Sequence, residues 1–324
     1  MKKDTPYFGI DISKDFFDVM SQKGVHYQFK NTPKGFRDFL KILTKKSHCV
    51  MEATGYYHYQ LAYFLVGNNI LVSVENPLSV KRFIQMKLSK IKTDKRDAKM
   101  ICEYAQCVAL KLWKGESEAQ QECLQIIRML SVYSKQRTAL KNKIHGEDTL
   151  GNTRTLVVKS IKRSLKSIKK ETDLLEKQLL EIVKKSHQDL LTRLESIPGL
   201  GRKTSLMLIV LTDGFDRFET ASALCCYSGL TPTIRQSGSS IKGRPRISKM
   251  GNPKLRNLLF MCSFTACKYN KNCKALYDRI VAKEKSKKLA LIAVCNKLLK
   301  QAFAVAKSGL PYDENYRSTL AKNN

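Results

Sequence analysis

The sequence predicts two fold classes in one chain, an α/β fold at the N-terminus followed by an all-α fold. Three observations carry this reading. Residues 7–76 switch repeatedly between strand-like alternation and helical spacing. From about Glu116 onward only helical spacing remains. Over residues 158–182 the side chains recur in an unbroken 3-4 rhythm.

Taken in order, Tyr7–Ser13, Phe16–Gln22 and Val25–Lys30 read as three short strands joined by tight turns, the second of them Lys23-Gly24. Thr32 and Pro33 open a helix, because a hydroxyl at the cap and proline at the first position both suit a helix N-terminus. It is expected to run to about Lys45, with Phe36, Phe39, Leu40 and Leu43 on one face. Cys49–Ala53 is a strand, Tyr56–Gly67 a helix, and Ile70–Glu75 a strand ended by Asn76-Pro77. This βββαβαβ order is that of a ribonuclease-H-like domain. In such an order Asp11, on the first strand, and Glu52, ending the fourth, lie side by side if those strands are neighbours. A helix from about Thr93 then carries Asp94 and Asp97 in its first turn. Their i, i+3 spacing puts them on one face, and the helix dipole favours negative charge there.

An ionised carboxylate within a strand is expensive to bury alone. Four like charges gathered at one site repel unless a cation lies between them. Two Mg²⁺ ions held by Asp11, Glu52, Asp94 and Asp97, aligning a phosphodiester with an attacking oxygen, answer that repulsion. Four unrelated surface acids are the alternative.

The charge balance points to a polyanion. The chain has 324 residues, with 59 Lys plus Arg against 28 Asp plus Glu, a net charge of +31. Nucleic acid is the expected partner, and not a membrane, since no amphipathic anchor or apolar 18-residue stretch is evident. The start, MKKDTPYFGIDI, lacks the apolar core of a signal peptide. Ten cysteines without a CxxC pair, and five histidines with none after His187, do not offer zinc spacing. They read as reduced thiols of a cytoplasmic protein.

The heptad-like seam consists of Val158, Ile161, Leu165, Ile168, Thr172, Leu175, Leu179 and Ile182. Upstream, Cys123, Ile126, Leu130, Tyr133, Leu140 and Ile144 form a similar stripe, and His145-Gly146 to Gly151-Asn152 is read as the break between two helices. An intramolecular antiparallel hairpin and an intermolecular coiled coil both fit. Beyond Leu194, LESIPGLGRKTSLMLIVL has the Pro-Gly-Leu-Gly turn of a helix-hairpin-helix, whose backbone amides can cradle a phosphate. Gly199, Gly201 and Lys203 are the residues expected at that contact; a purely structural turn is the alternative. A Walker loop is excluded, because Arg202 and Ile197 stand where it requires glycine.

No acidic residue lies between Glu219 and Asp278, while Arg235, Lys242, Arg244, Arg246 and Lys249 accumulate in a loop rich in glycine and serine. A single-sign, glycine-jointed loop suits close wrapping of a phosphate backbone. Ser237, Ser239 and Ser240 then become candidate nucleophiles. A hydroxyl needs activation, yet no histidine or carboxylate lies nearby in sequence, so help must come from the distant acids or from another protomer.

At this point the chain resembles the DEDD-type insertion-sequence transposases, also described as bridge-RNA-guided serine recombinases. GIDISKD, MEATGYY and KTDKRDA carry the resemblance in the N-terminal half; LESIPGLGRKTS, YSGLTP, QSGSS and GRPRISKMGNPKLR carry it in the C-terminal half. It covers nearly the whole length. The resemblance implies an acidic tetrad at Asp11, Glu52, Asp94 and Asp97, and a catalytic serine at Ser237. It implies a RuvC-like domain (residues 1–115), a helical coiled-coil linker (116–192) and a helical transposase domain containing the helix-hairpin-helix (193–324). It also implies a bridge RNA pairing with donor and target DNA, and with it a cytoplasmic, nucleoid-associated homo-oligomer, dimer or tetramer. A metal-dependent junction-resolving nuclease is the alternative function, but it leaves the acid-free serine loop without a purpose.

Overall fold

The computed structural model describes residues 5–53, 55–88, 93–151, 155–234, 236–237, 241–243, 246–247 and 250–316. The chain divides into two compact units, Met1–Glu116 and Ser117–Asn324.

The first unit is a mixed sheet with helices on both faces. Its strands are β1 (Tyr7–Ile12), β2 (Phe16–Ser21) and β3 (His26–Lys30), then, after helix α1 (Pro33–Leu40), β4 (His48–Glu52). Helix α2 (His58–Gly67), β5 (Leu71–Glu75), α3 (Pro77–Met86) and α4 (Asp94–Cys107) follow. The sheet order is β3-β2-β1-β4-β5. The β1–β2–β3 meander is antiparallel, whereas β4 and β5 run parallel to β1, as expected of a ribonuclease-H-like order. Phe8, Ile10 and Ile12 of β1 join Phe17, Phe36, Phe39, Met51, Leu61 and Leu65 in the main core, on the α1/α2 face. Strand alternation sends the intervening residues, Gly9 and Asp11, to the α3/α4 face.

One expectation for this unit needs correction, and one helix goes beyond those expected. Helix α1 stops at Leu40, short of Lys45, because Thr44 and Ser47 form their own turn, with the Thr44 amide donating to Ser47 Oγ at 2.9 Å. Asn76-Pro77 ends a strand but also starts a helix: Asn76 Oδ1 accepts from the Leu78 amide at 2.8 Å, and Pro77 occupies the first position of α3.

The second unit is helical. Helices α5 (Glu118–Thr149) and α6 (Thr155–Glu195) pack side by side within the chain. Every residue of the α6 seam is buried or half-buried, while most residues between them are exposed. Gly146, expected at the break, lies inside α5, and the left-handed residue is Gly151. After α6 come α7 (Arg202–Thr212) and α8 (Ala221–Tyr227), then four two-residue strands: β6 (Pro232–Thr233), β7 (Gln236–Ser237), β8 (Ile241–Lys242) and β9 (Arg246–Ile247). Helices α9 (Pro253–Tyr269), α10 (Lys271–Val281) and α11 (Lys287–Ser308) complete it. One core runs from Cys123 and Ile126 of α5 through Leu179 and Leu194 of α6 to Leu208, Leu259 and Leu298.

Among the described residues α11 is long and apolar enough to cross a membrane, with a mean hydropathy of 1.5, which corrects the expectation that no such stretch exists. Lys297 and Lys300 interrupt it and hide it from a search for apolar runs. Its Val294, Cys295, Leu298, Leu299 and Ala302 are fully buried in the unit's core, so packing accounts for its composition. All ten cysteines are free thiols, and Cys49, Cys102, Cys123, Cys225, Cys273 and Cys295 are buried.

Candidate active site

The parallel pairing of β1 with β4 sets Gly9 opposite Val50 and Ile10 opposite Met51. One residue further, Asp11 and Glu52 come side by side on the α3/α4 face. The register extends the row in both directions. Asp11 pairs with Asp18 of β2, and Glu52 with Glu75 of β5. Four carboxylates therefore stand in line across four strands. Asp18 and Glu75 were missed in the sequence, because only the register places them; the signal that could have found them is an acid at matching depth on each strand.

Helix α4 brings the remaining two acids. It lies directly over Gly9, where an added Cβ would sit 2.2 Å from the Cys102 nitrogen and 2.4 Å from the Ala98 carbonyl oxygen. Only glycine permits this approach. Met20, opposite Gly9 on β2, packs with Ala98 and Cys102 and completes the seat. Thr93 caps the helix, its hydroxyl accepting from the Arg96 amide at 3.3 Å. Asp94 and Asp97 thus occupy the first turn, Asp94 exposed and Asp97 half-buried.

The charges feel one another. Burial first, then the negative charges of Asp97, Asp94, Glu52 and Asp18, push the Asp11 carboxyl up from its ordinary 3.8 to about 6. All four sequence-predicted acids are therefore electrostatic neighbours. The two flanking acids are already hydrogen-bonded. Asp18, 5% exposed, meets His26 Nε2 at 2.7 Å and accepts from Gln28 Nε2 at 3.3 Å. Glu75 accepts from the Tyr104 hydroxyl at 3.1 Å. Among the described residues no three of these side chains converge to the spacing of a closed metal site. The fit to a metal rests on donor chemistry: an all-oxygen, like-charged set suits a hard divalent cation.

Ser237 lies on a separate device. It is exposed, and β7 pairs antiparallel with β8, Ser237 opposite Ile241 and Gln236 opposite Lys242. Below it β6 pairs with β9, Thr233 opposite Arg246. Two nested ladders therefore make one arm, with Ser237 and Arg246 on it. Arg235, Arg244 and Lys249, and the alternative serines Ser239 and Ser240, lie outside the described residues. The ends of the arm meet at two glycines. Gly229 and Gly251 both have positive φ, and a Cβ on Gly251 would lie 2.5 Å from the Gly229 nitrogen. Arg256 clips them, donating to the Ser228 carbonyl at 3.1 Å, and the Asn252 amide donates to the Tyr227 carbonyl at 2.7 Å. A groove of about 900 Å³ opens at the arm's base, with Leu230, Ile247 and Ile292 in its walls and Arg246, Lys297 and Lys300 among its cations.

The Pro198–Gly201 turn joins α6 to α7. Gly199 has φ +97° and is pressed against Ala266 of α9, where a Cβ would lie 2.6 Å from the Ala266 Cα. Gly201 is the cap of α7 and has open space beside it. The Lys203 ammonium is paired with Glu176, and Arg202 Nε with Glu195 at 2.7 Å.

These features meet known proteins in the same order. Residues 8–147 match the DEDD transposase model of IS110, described as "Transposase", and residues 191–278 match the "Transposase IS116/IS110/IS902 family". The pilin gene-inverting protein of Moraxella bovis is 29% identical over 324 residues, covering 95% of this chain and 98% of that protein. The transposase for insertion sequence element IS1111A of Coxiella burnetii is 27% identical over 330 residues, covering 91% of this chain and 88% of that protein. An uncharacterized 43.6 kDa protein of insertion element IS110 in Streptomyces coelicolor is 30% identical over 161 residues, half of this chain and 39% of that protein. A DEDD domain points to dependence on a divalent metal. Both matched regions are those of IS110-type transposases, and relatives of this kind indicate that the chain is a DNA transposase or recombinase.

Proposed function

We propose that the protein is a site-specific recombinase of an insertion sequence, guided by a bridge RNA, which cuts and rejoins DNA with Mg²⁺-binding carboxylates and a serine nucleophile. The observation that supports the reading best is the β1–β4 register that sets Asp11 beside Glu52, under a helix α4 seated on Gly9 whose first turn carries Asp94 and Asp97. Residues 1–115 act as a RuvC-like domain whose Asp11, Glu52, Asp94 and Asp97 hold Mg²⁺. When bound, the metal supplies positive charge where the phosphodiester gains negative charge. Residues 116–192 serve as a coiled-coil linker, and 193–324 present the serine.

Ser237 Oγ attacks phosphorus, a sugar oxygen departs with a proton, and a serine–DNA phosphodiester remains. The hydroxyl of the incoming strand reverses the step and releases the serine. One phosphodiester replaces another throughout, so no external energy source is needed. Arg246 and Lys242, with Arg235, Arg244 and Lys249, grip the backbone, and the Gly199–Lys203 turn adds a further phosphate contact. With no base on the arm, the serine depends on the acidic site, in a dimer or tetramer where one protomer's arm serves another's carboxylates. The gene-inverting activity in the Moraxella relatives' name favours strand exchange over the simple cutting of a junction nuclease.

The test is co-expression of the protein with its flanking DNA. A discrete RNA from that flank should co-purify, and the complex should exchange strands between donor and target plasmids. Asp11→Asn should lower exchange by several orders of magnitude. Near-normal exchange by that variant would remove the acids from the chemistry, and cutting without rejoining would favour the nuclease.

A further inference from the structure

Asp18 presents a problem that the tetrad does not solve. The residue is 5% exposed and lies directly across the strand pair from Asp11. Like charges at opposed positions in an antiparallel pair destabilise the sheet, and a buried carboxylate costs more still. A merely structural position would be better filled by an apolar residue, as it is at Met20, next along the same face. Instead, β3 supplies two side chains that fix the Asp18 carboxylate. His26 Nε2 lies 2.7 Å from Oδ1, and Gln28 Nε2 donates to Oδ2 at 3.3 Å. Both stand on the strand paired with β2, Gln28 directly opposite Asp18 and His26 opposite Met20. The fold thus invests a three-residue clamp in holding a negative charge beside the tetrad's central member.

We propose that Asp18, clamped by His26 and Gln28, is a positioning residue of the acidic site, a fifth carboxylate that raises its affinity for a divalent cation and fixes the orientation of Asp11. This rests on the reading of the tetrad as a cation site. Outer partners of metal ligands act in this way, and their loss weakens metal binding about 10–100-fold. A fixed anion outside the ligand set strengthens the field at the cation position without occupying a coordination place.

The test uses the full-length, nucleic-acid-free protein and two probes, Mg²⁺ by calorimetry and Mn²⁺ by electron paramagnetic resonance. Asp18→Asn should bind both ions about 10-fold or more weakly. Its melting temperature without cation should stay level or rise, because a like-charge contact is gone, while the rise in melting temperature on adding Mg²⁺ should shrink. A structural role alone predicts a lower melting temperature with and without the cation, and that result would overturn the proposal. Should Asp18→Asn fail to fold, His26→Ala carries the test, since it leaves Asp18 held by Gln28 alone; several-fold weaker Mn²⁺ binding is expected, and unchanged binding overturns the proposal. Asp11→Asn separates the two levels. If it loses cation binding while Asp18→Asn binds normally, the positioning role fails alone. If Asp11→Asn also binds normally, the tetrad reading fails with it.

Discussion

The acidic face and the serine arm are opposite ways of placing a reactive group. Asp11 and Glu52 are fixed by a parallel register, and a slip of one residue would turn both to the other face. Helix α4 is pinned over them because Gly9 leaves no other fit. Ser237 is exposed on one of a pair of two-residue strands, held to the body through Gly229, Gly251 and Arg256. In the proposed reading the acids need only a cation to complete them, whereas the serine needs a carboxylate site and DNA that its own arm does not contain.

The largest effects should come from removing one member of either device. Asp11→Asn and Ser237→Ala should each reduce strand exchange by several orders of magnitude with the fold intact. Mixed together, the two variants should recover part of the activity if the working site is assembled from two protomers. No recovery under conditions that form hybrids would confine each site to one chain.

The glycines give the next contrast. Gly9→Ala should cost about 1–3 kcal/mol or more by overpacking β1 against the backbone of α4, and should weaken Mn²⁺ binding. Gly251→Ala, strained by its positive φ, should cost a similar amount, about 1–3 kcal/mol, yet leave Mn²⁺ binding unchanged. Denaturation and cation titration of both variants measure this, and equal loss of cation affinity would erase the distinction.

A smaller effect concerns pH. Asp11 holds its proton to about pH 6 when folded but only to 3.8 in its ordinary state. Its contribution to stability is therefore full below about pH 4 and lost as the pH rises through 6. In cation-free protein this amounts to on the order of 1 kcal/mol after allowance for solvent screening. Asp11→Asn should flatten that part of the stability–pH curve, and Mg²⁺ should bind more weakly below pH 6.

Smallest of all, Arg246→Gln on the arm should lower DNA affinity alike for all sequences, reducing the salt slope by about one. Loss confined to one sequence would make Arg246 a base reader.

Much of the first unit was legible because its elements are bounded by strong local signals, Thr32-Pro33 and Thr93 among them. Asp11, Glu52, Asp94 and Asp97 stood out as charges in apolar or capping contexts. Helix α3 was hidden because Asn-Pro closes strands as readily as it caps helices. Asp18 and Glu75 were hidden because an acid on a short strand looks like a solvent-facing residue until register supplies its neighbours. Likewise nothing local showed that Gly229 would meet Gly251, a contact between the two ends of the arm. The buried α11 escaped because two lysines interrupt its apolar run.

The most direct measurement is to trap the cleavage intermediate with wild-type protein, RNA, Mg²⁺ and DNA, and to map the attached residue by mass spectrometry. The account predicts a phosphodiester on Ser237, absent from Ser237→Ala and from Asp11→Asn. Attachment to Ser239 or Ser240 would move the nucleophile along the arm. Cleavage with no protein–DNA adduct under any condition would contradict the account, leaving water as the nucleophile and the carboxylates acting alone.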